Sequence, residues 1–405
     1  MKSSRTIILG AGQAGVQVAV SLRQGGYTGE VIVVGKEPHV PYQRPPLSKQ
    51  VLKQEWAAER CQLHHLEFYQ QHQIELLLGV SATGLDTAAS RVHLDDGSQW
   101  TYDHLVVCTG SRLNRLPVSG ADLPGVHYLR TIDDALELTA CLRPAARLAI
   151  IGGGYIGLEV AAAARSLGCA VTVIEALDQV MKRSALPPIA QTLRQRHERA
   201  GVRFLLERKV QSIVGHDRVE GVALDEGGSI AVDRVMVGVG VRPDLRWLQG
   251  SELETARGIR VDGNCRTNVA NIFAAGDVAE LRHPLLDGWQ VLESVQNAVS
   301  QGKIVASSIV GQAQTYTETP WFWSEQYDCR LQMAGIPRAG DRQVMRGHPA
   351  TGGLSVFSLS GHRLNAVQSI NAPRDYMVGR ELIGRQTEID DKLLGDAQTN
   401  LKDLL

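Results

Sequence analysis

The chain has 405 residues, 43% of them hydrophobic, with 41 glycines; 42 Lys and Arg face 43 Asp and Glu, for a net charge of −1. That length suits two or three domains, and the balanced charge gives no general attraction to nucleic acid or to an anionic membrane. No apolar run approaches the ~20 residues that span a bilayer, and the start, MKSSRTIILGAG, carries too short an apolar run for a signal peptide, so a cytoplasmic protein is expected.

The first stretch, Thr6 to Glu37, reads as one βαβ unit: a short apolar strand, Gly10-x-Gly12-x-x-Gly15, a helix over Val16 to Arg23 ended by Gly25-Gly26, and a β-branched strand over Val31 to Val34. Gly10 permits a tight turn, Gly12 lets backbone approach a pyrophosphate, and Gly15 lets helix pack on strand. The helix start then supplies unpaired N–H groups and a positive dipole end for the phosphates. An acid after the second strand would hold a ribose hydroxyl. Glu37 is near that place, with Lys36, a poor ribose acceptor, beside it.

Pro41 to Lys49 follows, where prolines predict an extended loop that can present Arg44 and Lys49 to a ligand. Gln54 to Gln73 reads as polar and helix-like, and Ile74 to Leu78 as a strand. Val80 is placed to face an adenine through its backbone. Val92 to Leu94, the Asp96-Gly97 turn and Gln99 to Tyr102 form a hairpin signal. Leu105 to Gly110, LVVCTG, is a buried strand ending at Thr109 in a glycine turn.

A second βαβ unit begins at Arg147, with Gly152, Gly154 and Gly157 in the same spacing and Glu175 at the end of its second strand. Two such units argue for two dinucleotides. Glu175 accepts from both ribose hydroxyls and repels a 2′-phosphate, which favours NADH over NADPH; Lys182 and Arg183 just downstream keep the alternative open. Val202 to Val241 reads as β-rich, with VMVGVG as its last buried strand. In TNVANIFAAGD the strand Asn271 to Ala274 ends at Gly276-Asp277, which suits a ribityl hydroxyl or a helix cap. Leu292 to Val310 reads as a long helix, Gly311 to Pro320 as a linker, and 319–405 as a third, α+β domain opened by Trp321-Phe322-Trp323.

The six cysteines, Cys61, Cys108, Cys141, Cys169, Cys265 and Cys329, never fall within four residues of one another. No C-x-x-C dithiol and no metal-finger spacing is present. His64 and His65 are adjacent, and on a helix they diverge by about 100°, so no metal site is expected.

Five stretches now carry a resemblance: PYQRPPLSK at 41–49, GGGYIGLEVAA at 152–162, IFAAGD at 272–277, ESVQNA at 293–298 and WFWSEQY at 321–327. In order and over essentially the whole chain, they resemble the NADH-dependent ferredoxin reductases of bacterial Rieske oxygenase and cytochrome P450 systems. These are of the putidaredoxin reductase and biphenyl dioxygenase ferredoxin reductase type, in the glutathione reductase-like FAD superfamily. The implied fold is α/β, with two Rossmann-like dinucleotide-binding domains and a C-terminal α+β domain. The boundaries expected are 1–112 with 246–318 for FAD, 113–245 for NADH, and 319–405.

The resemblance implies FAD across Gly10, Gly12, Ala14 and Gly15, with Lys36 or Glu37 at the ribose. Arg44, Val80, Thr109 and Arg130 would line the same cofactor, Asp277 would hold the ribityl chain, and Val295 would contact the ring. Lys36 stands where many relatives have an acid. NADH would use Gly152, Gly154, Ile156, Gly157, Glu159 and Glu175. Lys49 paired with Glu159 would border the flavin and order the site, and Trp321 or Trp323 would border the flavin and nicotinamide. Hydride would pass from NADH to FAD, and single electrons from FAD to a [2Fe–2S] ferredoxin. Docking would be transient and electrostatic, with Arg330, Arg338 and Arg342 as candidate contacts. A monomer or weak homodimer is expected. Two other readings are a peroxide- or oxygen-reducing flavoenzyme, disfavoured by the cysteine placement, and a redox-signalling protein that holds FAD and NADH.

Overall fold

Residues 4–405 are described by a computed structural model. The chain divides into two compact units. One comprises 1–43, 62–112 and 242–322; the other comprises 44–61, 113–241 and 323–405.

The first unit is built on a five-stranded parallel sheet in the order Ile272–Ala274, His104–Val107, Arg5–Leu9, Glu30–Gly35, Ile74–Leu78. The inner strands read as apolar runs past their first residues because a parallel sheet is covered on both faces, while the edge strand Ile74–Leu78 is broken by an exposed Glu75. Ile8, Val33 and Val106 lie side by side at one register level, and all are fully buried; each such burial is worth about 1.5–3 kcal/mol. Helix Gln13–Gln24 makes the first crossover and packs against helix Val295–Ile309. A Cβ at Gly302 would lie 3.0 Å from the Ala14 carbonyl oxygen, so the missing side chain sets how closely the helices approach. An antiparallel hairpin sheet, Ala82–Asp86, Arg91–Leu94 and Gln99–Thr101, and a small sheet, Ile259–Val261, Ala279–Arg282 and Trp289–Val291, complete the unit.

The second unit repeats the plan. Its parallel sheet runs Arg203–Leu205, Ala170–Ile174, Arg147–Ile151, Arg234–Val237, Val126–Tyr128, with helix Tyr155–Ser166 after the central strand. The C-terminal sheet orders Trp321–Gln326, Cys329–Gly335, Arg363–Ile370, Gly353–Ser360, Arg342–His348; its Cys329 to Ile370 strands pair antiparallel and helix Pro373–Arg385 packs on them.

Three local expectations are corrected. Gln54 to Gln73 is not one helix: it holds a single turn, Ala58–Cys61, and a short helix, Leu66–Gln71. Only Cys61 and Tyr69 in that stretch are buried, so no apolar stripe sustains a longer helix. The loop after Pro41 turns helical at Leu47–Val51. Proline cannot continue a helix but can start one, its fixed φ being already helical, and Pro46 sits at φ −69° just before the turn. The long helix begins at Val295 rather than Leu292, because the Ser294 side chain caps it, accepting from the Asn297 N–H at 3.1 Å.

Candidate active site

Both glycine loops meet the same physical demands. Gly10 and Gly152 sit at φ +115° and +106°, and a Cβ there would reach within 2.1 Å of the Cys108 carbonyl oxygen and 2.4 Å of that of Gly238. Gly15 and Gly157 let the helix touch the loop, where a Cβ would lie 1.9 and 2.1 Å from the Gly10 and Gly152 carbonyl oxygens. Gly12 and Gly154 are different. Each is the N-cap of its helix, neither offers a side-chain cap, and a Cβ on either would meet nothing within 4 Å. Both helix starts therefore open onto free space with their first N–H groups uncapped by side chains, the chemistry a phosphate needs. Ile156, 43% exposed, adds an apolar platform beside the second opening.

Around the first loop, Glu37 accepts from the Tyr42 hydroxyl and Lys36 is exposed. Val80 donates its N–H to the Gly35 carbonyl oxygen at 3.0 Å. Thr109 is exposed just beyond strand His104–Val107. Asp277 lies in a single helical turn, Gly276–Val278, and accepts from the Ser111 hydroxyl at 3.3 Å. The Gly276 N–H donates to Gln301 Oε1 at 2.7 Å. Gln301 Nε2 and Asn297 Oδ1, both on fully buried side chains in the first half of helix Val295–Ile309, have no hydrogen-bond partner within the protein. A buried donor and acceptor left unmet are costly, and the Gln301 amide, held on Gly276, fits a polar group beside it. Asn297 lies in the quoted ESVQNA stretch, while nothing in the sequence marked Gln301. Residues and geometry in this unit thus fit one dinucleotide.

In the second unit, Arg44 Nη1 donates to the Arg130 carbonyl oxygen at 2.5 Å, so these two expected contacts are brought together. Arg130 precedes the capping box of helix Ile132–Cys141, in which Thr131 and Asp134 satisfy each other's backbone. Glu175 engages both oxygens: Oε2 accepts from the Gly153 N–H of the glycine loop at 2.7 Å and Oε1 from the Leu177 N–H of its own following turn at 3.0 Å. Lys182 pairs with Asp178 at 3.2 Å.

Helix Tyr155–Ser166 carries Glu159 inward, 4% exposed, where a surface carboxylate would be the ordinary outcome. Lys49 Nζ reaches it at 2.7 Å, with side chains 12% and 3% exposed. The ammonium also donates to the Pro45 carbonyl oxygen at 3.1 Å. Ser48 Oγ donates to Glu159 Oε2 at 2.5 Å and Ser324 Oγ to Oε1 at 2.6 Å. Ser48 and Ser324 were not among the sequence candidates, although each adjoins one, Lys49 and Trp323. Burial pushes the Tyr155 phenol, on the same helix, up to about 12. Trp321 and Trp323 are both half-buried, and the Trp321 N–H donates to Gln296 Oε1 at 3.4 Å. Of the expected docking arginines, Arg342 pairs with Asp391 at 2.6 Å and Arg330 faces Glu325 at 4.0 Å.

All six cysteines are free and all but Cys141 are buried; burial pushes the thiols of Cys61, Cys108, Cys169, Cys265 and Cys329 up, Cys108 to about 12. Among the described residues no group of three metal-ligating side chains comes together, and no helix is long and apolar enough to cross a membrane.

Residues 4–302 match the family described as pyridine nucleotide-disulphide oxidoreductase, and 321–405 match one described as reductase C-terminal. The chain is 42% identical to rhodocoxin reductase of Rhodococcus erythropolis, over 98% of this chain and 93% of that one. It is 38% identical to the ferredoxin–NAD(+) reductase component of the anthranilate 1,2-dioxygenase system of Burkholderia cepacia, with both chains fully covered. Among solved structures, the covalent putidaredoxin reductase–putidaredoxin complex matches with a TM-score of 0.96 at 34% identity, over 99% of this chain and 98% of that one.

Proposed function

Since the chain belongs to the pyridine nucleotide-disulphide oxidoreductase family, and within it to the ferredoxin reductases, we propose a reading of its site in those terms. The protein is an FAD-dependent NAD(P)H:ferredoxin oxidoreductase. When bound, FAD would supply the redox chemistry of this reaction, hydride acceptance and one-electron release.

The chain's own residues bind and orient. In the first unit Gly10, Gly12, Ala14 and Gly15 receive the FAD diphosphate, Lys36 or Glu37 the ribose, Asp277 the ribityl chain and Val295 the ring. Val80 and Thr109 line the same cofactor. In the second unit Gly152, Gly154, Ile156 and Gly157 hold the nicotinamide dinucleotide, and Glu175 favours NADH by opposing a 2′-phosphate. Lys49 and Glu159 hold a fixed charge pair at the reacting end, and Trp323 or Trp321 borders it. The domains follow 1–112 with 246–318, 113–245 and 319–405.

One observation carries this reading. The helix that opens at Gly154 also supplies Glu159, buried on Lys49, five residues or about 7.5 Å along the axis. One element thus serves both the nucleotide cradle and the ion pair. The partner is a ferredoxin, of the [2Fe–2S] kind, docked transiently through exposed arginines by a monomer or weak homodimer in the cytoplasm. The buried thiols favour direct release of electrons over a disulfide relay.

The test is an anaerobic NADH titration of the FAD-loaded protein, followed by mixing with a [2Fe–2S] ferredoxin and, separately, a rubredoxin. NADH must bleach the flavin and reduce the ferredoxin. A flavin that stays oxidised overturns the reading, and reduction of rubredoxin alone changes the partner. A relative 38% identical is a rubredoxin–NAD(+) reductase of Pseudomonas putida, which is why both acceptors belong in the test.

A further inference from the structure

Glu159 is the end of a longer chain of hydrogen bonds, all within the second unit. Strand Trp321–Gln326 alternates, so Ser324 and Gln326 share one face. Both are buried, at 0% and 1%, while Glu325 between them is exposed. Gln326 Nε2 donates to Ser324 Oγ at 3.1 Å, and Ser324 Oγ donates to Glu159 Oε1 at 2.6 Å. On its other side Gln326 Oε1 lies 2.9 Å from His197 Nε2, on helix Pro187–Arg199.

The sense of every link follows from the one before. His197 is fully buried, and desolvation pushes its imidazolium down to about 4. A neutral imidazole has one N–H. Its neighbour at Nε2 is the amide oxygen, because the Gln326 amide nitrogen is engaged on Ser324. The proton therefore sits on Nε2, and Nδ1 faces the Tyr327 hydroxyl at 3.4 Å as acceptor. Gln326 receives through oxygen and gives through nitrogen. Ser324 receives at Oγ, so its single proton goes to Glu159. The carboxylate collects that bond on Oε1, and those of Ser48 and Lys49 on Oε2.

We propose that Ser324, Gln326 and His197 are positioning residues, a one-way relay of donors that fixes the orientation of the Glu159 carboxylate and through it the Lys49 ammonium. The role rests on the reading of Lys49 and Glu159 given above. His197 and Gln326 touch neither partner of the ion pair. They act by leaving Ser324 only one direction in which to donate.

The experiment is a double-mutant cycle on the FAD-loaded protein, reading flavin bleaching at saturating NADH, NAD+ affinity by spectral titration, and thermal midpoint. Ser324→Ala is expected to slow bleaching about tenfold through loss of alignment, with FAD content kept. Ser324→Thr, which keeps the hydroxyl, restores the rate to within about twofold of the parent. In a Glu159→Gln background Ser324→Ala costs less than about twofold more, the non-additivity of groups that act as a unit. Additive losses, with Glu159→Gln itself slow, overturn the relay alone. A Glu159→Gln protein as fast as the parent overturns the reading of the ion pair, and the relay's role with it. A second readout needs no turnover: 15N shifts of labelled histidine should show His197 as the neutral Nε2–H tautomer at pH 7. The Nδ1–H tautomer would reverse the chain and sink the proposal; an imidazolium, which also donates from Nε2, would keep its direction.

Discussion

Glu175 has two tasks that a substitution can separate. One oxygen braces the glycine loop through Gly153 and the other its own turn through Leu177; in the proposed site its charge would oppose a 2′-phosphate. Glu175→Gln keeps one acceptor for the loop and removes the charge. NADH affinity should fall by a few-fold, and the preference over NADPH should narrow by about tenfold, roughly one lost charged hydrogen bond. Competitive titration with both nucleotides checks this, and an unchanged preference shows the acid misassigned. At the reacting end, Lys49→Met should slow flavin bleaching and leave Glu159 buried with hydroxyl donors only, at a stability cost of roughly 3–5 kcal/mol; stopped-flow and calorimetry read the two effects. The sequence named Glu175, Lys49 and Glu159 because each lies in or next to a recognisable stretch. It gave no role to His197, nor to Gln326 although that residue lies in WFWSEQY, since their meaning lies in a contact 129 positions apart in the chain. No local pattern encodes a tautomer.

The strand–glycine–helix turn makes a sharper prediction, because its glycines differ in what surrounds them. Gly10→Ala forces a Cβ onto the Cys108 carbonyl at a positive φ, so fold and cofactor should be lost together. Gly12→Ala meets nothing within 4 Å of its Cβ. It should keep the thermal midpoint of the FAD-free protein and weaken FAD binding, since the added methyl enters the space reserved for phosphate. Gly154→Ala should leave the protein yellow and raise the KM for NADH. Absorbance ratios and melting curves distinguish all three. Both turns were legible from the sequence because every demand on them is local: tight turn, close approach, helix start. The segment 54–73 was not, because polar composition alone carries no period, and two anchors, Cys61 and Tyr69, set its path. The turn Leu47–Val51 was hidden for a related reason, proline being read as a stop where it served as a start.

Over the whole chain, acid should be destabilising well before its carboxylates titrate. Burial pushes His104 and His283 down in the first unit and His127 and His197 in the second, His197 to about 4. A base whose folded pKa is lowered binds protons more readily once unfolded, so stability is lost as pH falls below the unfolded value near 6.5. For His197 the loss is complete near pH 4, on the order of 3 kcal/mol. Thermal midpoints taken from pH 7 to 5 should fall steadily, and His197→Gln should flatten part of that slope. A midpoint independent of pH over that range would mean these imidazoles take up protons in the fold as readily as in the unfolded chain. Docking belongs to the same scale: ferredoxin-coupled turnover should slow with added salt, and indifference to ionic strength would remove the arginines from the account. The doubled α/β plan was readable at this scale because duplicated glycine spacing fixes the secondary-structure order. The grouping of 44–61 with the second unit was not, since compactness depends on contacts remote in sequence.

The cysteines have a practical consequence. Five of the six are sealed inside the protein and only Cys141, at the end of helix Ile132–Cys141, is partly open. The native chain should survive handling in air without added reductant, and a maleimide dye should attach once. That single attachment point would let fluorescence follow the second unit during turnover with no engineered cysteine.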